Sequence, residues 1–141
     1  MTWVVDTCVI IDVLRGDKSF SAASANVLDA KADDVLLIAP VTYVELAPSF
    51  NGSAEEEDAF LRELGIECEC GSSIKAVRTA HRAWYEHVLR KRAGEEAKRP
   101  IADVLIGAYA LQKGGLITRN EADFRSLYPD LPICNPMNLK V

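Results

Sequence analysis

Trp3-Val4-Val5-Asp6-Thr7-Cys8-Val9-Ile10-Ile11-Asp12-Val13-Leu14-Arg15-Gly16 is the stretch that decides the fold. Its first three residues form an apolar run that ends at Asp6, and Val9, Ile10, Val13 and Leu14 then recur at helical spacing until Gly16. A strand therefore hands over to a helix across Asp6. The same change of period returns along the chain. Val35–Ala39 reads as a buried strand, and Pro40 suits the first position of a helix running to about Ala47. An acidic helix over 54–64 ends at Gly65 before a strand over 66–70, and a long helix spans about 73–92. A helix over 101–113, a strand over 116–118, a helix over 120–127 and a strand over 131–134 complete the pattern. Strands alternating with helices predict an α/β/α sandwich around a mainly parallel sheet of four or five strands. In such sheets, sites form at the carboxyl ends of the strands.

With 141 residues, 49% of them apolar, the chain has the material for one domain over 1–141. Its longest apolar stretches, 35–41 and 104–111, fall short of a membrane span, and the opening residues lack the features of a secretory signal. The cytosol is the expected compartment. Cys8, Cys68, Cys70 and Cys134 fit neither a C-x-x-C redox motif nor a paired-cysteine zinc site, so they read as reduced thiols. Cys68 and Cys70 would share one strand face.

A net charge of −5 argues against a general nucleic-acid coat, but the charge is unevenly placed. Residues 75–99 carry eight Lys and Arg against three Glu, so this segment is +5 and the rest −10. It reads either as a solvated face or as a phosphate-contacting patch beside an acidic site. Arg78, Arg82 and Arg99 are its candidate phosphate contacts. In the long helix, Ile74, Val77, His81, Trp84 and Val88 line up as the expected apolar stripe.

Four carboxylates stand where chemistry is expected. Asp6 ends the first strand, Glu45 shares a helix face with Thr42, and Asp103 opens a strongly apolar helix in line with Gly107, whose missing side chain would leave room for an ion. Asp123 lies three residues after Asn120 in an arrangement close to a capping box, behind Thr118. If they converge, each pair near 4 Å repels by about 4 kcal/mol at an effective dielectric of 20, and the cluster requires a cation. All-oxygen ligands select Mg²⁺, with Mn²⁺ as substitute, and the chemistry implied is phosphodiester hydrolysis.

Order and spacing resemble a PIN domain. Val4-Val5-Asp6-Thr7-Cys8-Val9-Ile10-Ile11 is similar to that family's opening motif, with Cys8 where serine is frequent. Val41-Thr42-Tyr43-Val44-Glu45-Leu46 resembles the second acidic motif, and Arg99-Pro100-Ile101-Ala102-Asp103-Val104-Leu105-Ile106-Gly107-Ala108 the third, the most specific of the set. Leu116-Ile117-Thr118-Arg119-Asn120-Glu121-Ala122-Asp123-Phe124 resembles the fourth. The resemblance is greatest to VapC-type toxins. It implies a Mg²⁺-dependent endoribonuclease, usually a homodimer, held inactive by a cognate antitoxin. It carries Asp6, Glu45 and Asp103 over as catalytic metal ligands, with Thr7, Thr42, Thr118 and Asn120 supporting them. The fourth ligand is Asp123 or Asn120, since many relatives have aspartate directly after Thr-Arg.

Other readings meet specific objections. A receiver domain needs adjacent acids at the first strand, and a haloacid-dehalogenase-type phosphatase needs Asp-x-Asp, whereas Asp6 stands alone. Neither G-x-G-x-x-G nor a P-loop occurs, and His81 and His87, six residues apart, do not share a helix face. The remaining alternative is a degenerate PIN domain that binds RNA or protein without cutting.

Overall fold

The computed structural model describes residues 1–69, 74–92 and 101–138. Among the described residues, five strands, β1 (Thr2–Val5), β2 (Val35–Ile38), β3 (Ile66–Cys68), β4 (Gly115–Ile117) and β5 (Ile133–Cys134), alternate with helices. The helices are α1 (Thr7–Arg15), α2 (Ser21–Ala30), α3 (Pro40–Glu45), α4 (Ala54–Glu63), α5 (Ile74–Arg92), α6 (Ile101–Lys113) and α7 (Glu121–Leu127). Short 3-10 turns follow at Ala47–Phe50 and Pro136–Asn138.

The strands pair in the order β3-β2-β1-β4-β5, and every pairing is parallel. Alternating side chains feed two cores. Val4, Leu37 and Leu116 point into one with residues of α5, α6 and α7. Trp3, Val5, Leu36, Ile38 and Ile117 point into the other with residues of α1, α2 and α4. This is the expected three-layer sandwich, with five strands. From β1 the chain winds outward to β2 and β3, whereas β4 and β5 lie on the other side of β1. The direction of winding therefore reverses between β1 and β4, which opens a crevice at their carboxyl ends.

Two expectations need correction. The inward face of α5 is Ala76, Ala80, Ala83 and His87, with Trp84 and Val88 half-buried, while Ile74 and His81 are exposed. Small residues win that face because α5 packs on α6, whose Ala108 and Ala110 share the core with Ala80 and Ala83. Large apolar residues dominate a periodicity reading, but close helix approach selects alanine. Gly107, second, leaves no room for an ion: a Cβ there would lie 2.5 Å from Cδ2 of Tyr128. Its missing side chain admits the Tyr128 ring, whose hydroxyl donates to the Val104 carbonyl at 2.6 Å. Arg99 and Cys70, and with Cys70 the proposed pair of strand cysteines, lie outside the described residues.

Candidate active site

Asp6 occupies the crevice. It follows β1 in extended conformation as the N-cap of α1, and it is 4% exposed. Its Oδ1 accepts the Thr7 N–H at 2.8 Å, and its Oδ2 accepts the Thr118 hydroxyl at 2.7 Å and the Cys8 thiol at 3.3 Å. Thr118 is the first residue beyond β4, and the Asp6 N–H donates to the Ile117 carbonyl at 2.9 Å, so the exits of β1 and β4 are tied together. Burial raises the Asp6 pKa, opposed by the bonds from Thr118, Cys8 and Thr7 and by the charge of Arg119. The same burial, with Asp6 alongside, pushes the Cys8 thiol up to about 12. Cys8 is thus a protonated donor rather than a nucleophile.

Thr7 extends the network to α3. Its hydroxyl donates to Glu45 Oε1 at 2.9 Å and pairs with the buried Thr42 hydroxyl at 3.0 Å. Thr42 and Glu45, three residues apart, share the face predicted for them. Glu45 is the last residue of α3 and is solvent-exposed. Asp6, Thr7, Thr42, Glu45 and Thr118 are therefore one connected set.

Asp103 and Asp123 are half-buried in the first turns of α6 and α7. Among the described residues, no three His, Cys, Asp or Glu are grouped so that they could hold an ion. Asn120 does precede α7 as its N-cap, but its exposed side chain makes no capping bond. The Asn120 N–H is instead the donor, bonded to the Thr118 hydroxyl oxygen at 3.0 Å. The capping box read at Asn120 and Asp123 is thus replaced by a threonine that serves Asp6 and the turn at once.

One pair was not foreseen. Asp12, 5% exposed on α1, receives Arg119 Nε on Oδ2 at 2.5 Å and Nη2 on Oδ1 at 3.1 Å, and Ser24 donates to Oδ2 at 3.1 Å. The Arg119 guanidinium also lies over the Phe20 ring, 3.9 Å from its centroid. The sequence carried a signal: an aspartate flanked by Ile10, Ile11, Val13 and Leu14 is a carboxylate among apolar residues and needs a partner.

The donors suit a hard divalent cation. They are oxygens apart from one protonated thiol, and Mg²⁺ keeps several waters and takes one or two carboxylates from the protein. Asp6 and Glu45, linked through Thr7, would be such a pair of carboxylates.

Fold and site together define a parallel α/β protein with a buried aspartate at the switch point of its sheet. The sequence profile of the PIN domain matches residues 3–128, and the chain belongs to that family, whose members are in general nucleases that use divalent metal ions. A comparison with curated proteins gives no sequence match. Solved structures of similar fold include VapBC2 from Rickettsia felis bound to a promoter DNA fragment, at 19% identity and TM-score 0.72, with 96% of this chain and 98% of that one covered. VapBC-1 from nontypeable Haemophilus influenzae aligns at 19% identity and TM-score 0.67 over 98% of this chain and 100% of that one. FitAcB from Neisseria gonorrhoeae aligns at 18% identity and TM-score 0.63 over 97% and 99%.

Proposed function

We propose that this PIN domain is a Mg²⁺-dependent endoribonuclease that hydrolyses RNA phosphodiester bonds and serves as the toxin of a toxin–antitoxin pair in the cytosol. The observation that carries the reading is the buried Asp6, held by Thr118 and Thr7 and linked through Thr7 to Glu45, at the switch point of a PIN-family sheet. A bound divalent ion would supply an activated water and stabilise the leaving oxyanion. Asp6 and Glu45 would hold it, and the family resemblance assigns Asp103 and Asp123 as further ligands, although the described residues do not group three carboxylates around one point. Thr118 and Thr7 fix the direction of the Asp6 oxygens, and Thr7 does the same for Glu45. No helix among the described residues is long and apolar enough to cross a membrane.

An antitoxin partner is supported by the similar structures, which are VapBC and FitAcB complexes. Homodimerisation is supported by Val44, Ile101 and Leu105, large apolar residues exposed on α3 and α6, two helices that pack on each other. The direct test is cleavage of structured RNA by purified protein in Mg²⁺, with EDTA and with Asp6→Asn and Asp103→Asn. Metal-dependent cuts lost in both variants are expected. RNA binding without cleavage in any divalent ion would replace the reading with the non-cutting one.

A further inference from the structure

We propose that Arg119 is the positioning residue of this site: by clamping Asp12 and lying over Phe20 it fixes the β4–α7 junction from which Thr118 holds Asp6. The inference rests on the reading of Asp6 as a metal-holding carboxylate. Thr118 has one hydroxyl with two duties, donating to Asp6 Oδ2 at 2.7 Å and accepting the Asn120 N–H at 3.0 Å. Both bonds require the backbone of 118–120 to stay in one place. The start of the junction is held by the sheet, where the Asp6 N–H meets the Ile117 carbonyl at 2.9 Å and the Thr118 N–H meets the Cys134 carbonyl at 3.1 Å, but on its far side α7 is a seven-residue helix with no side-chain cap. Arg119 holds the segment from between these two ends. Its guanidinium makes two bonds to a carboxylate that Ser24 also holds, and it lies over the Phe20 ring, 3.9 Å from the centroid. Asp12 belongs to α1, the helix that Asp6 caps. The clamp thus joins, from a second direction, the two elements that the Thr118–Asp6 bond joins in the crevice. A lysine could supply the charge but not the two-bond geometry.

Arg119→Ala alone would leave Asp12 buried and unpaired, and lost stability would hide any effect on the site. Removing the polar set together avoids this, because a buried ion pair replaced by apolar residues of similar volume is often neutral for stability. The test compares the unchanged protein, Arg119→Lys and the triple variant Asp12→Val/Ser24→Ala/Arg119→Met, measuring thermal melting and Mn²⁺ binding by calorimetry without RNA. We expect the triple variant to melt within a few degrees of the unchanged protein and to bind Mn²⁺ about tenfold more weakly, the scale typical of groups that orient ligands. Arg119→Lys should also weaken binding. Unchanged Mn²⁺ affinity in a folded triple variant would overturn the assignment and leave the clamp a stabilising contact. Absence of Mn²⁺ binding in the unchanged protein would instead overturn the metal reading beneath it.

Discussion

Asp6 is a carboxylate that the fold has desolvated and then surrounded with donors, so its charge is costly unless all of them stay in place. Asp6→Asn keeps shape and an acceptor for the Thr7 N–H but removes the charge. Cleavage should fall by at least about 10²-fold, the scale of removing one well-placed electrostatic interaction from an active site, while the melting temperature holds or rises. Wild-type turnover by a folded Asp6→Asn would remove Asp6 from the chemistry. The fourth ligand can be decided by a comparable pair of variants. Because the Asn120 side chain makes no capping bond, Asn120→Ala should leave stability within about 0.5 kcal/mol of wild type, the usual range for a surface change. Asp123→Asn should raise the Mg²⁺ concentration needed for half-maximal cleavage. A metal defect confined to Asn120→Ala would transfer the role to Asn120.

Among the elements, α4 holds a carboxylate that works against the fold. Glu57 is 2% exposed, its Oε2 has no hydrogen-bond partner, and burial raises its pKa above the ordinary 4.5. Above pH 4.5 the unfolded chain releases this proton before the native state does, so stability declines as pH rises through the interval up to the raised native value. Below that interval both states are protonated and the loss vanishes. Glu57→Gln should therefore be more stable at pH 7, by about 1 kcal/mol, and should lose less stability on going from about pH 4 to 7. Parallel melting curves for the two proteins across that range would show the assignment to be mistaken. At this scale the sequence revealed most of the fold, because strand and helix periods are strong in Val4–Val5, Val35–Ile38 and Ile101–Lys113. It misplaced the buried face of α5, where packing against α6 selects Ala76, Ala80 and Ala83. At the site, Asp6 and the Thr42–Glu45 face were legible because both follow from local position. The Asp12–Arg119 clamp was not found, since 107 residues separate its partners and no period links them.

Over the whole molecule, charge segregation decides how an acidic protein could hold an anionic substrate. With −10 outside residues 75–99, long-range attraction cannot come from the net field and must come from the +5 segment. Arg78 and Arg82 are exposed on α5, and α5 packs along α6, the helix that carries Asp103. Arg82 Nε already meets Glu86 at 3.3 Å, but the two side chains are 83% and 51% exposed, and such surface pairs are worth little. A phosphate can therefore compete for the guanidinium. Removing one arginine–phosphate pair should lower the slope of log affinity against log salt by about 0.7 to 0.9. Arg78→Ala with Arg82→Ala should accordingly flatten the slope by up to about 1.8, measured by RNA-binding titrations across salt, and should leave the melting temperature nearly unchanged. An unaltered slope would mean that these arginines serve only as a solvated helix face, and RNA capture would then have to be assigned to other cations of the segment.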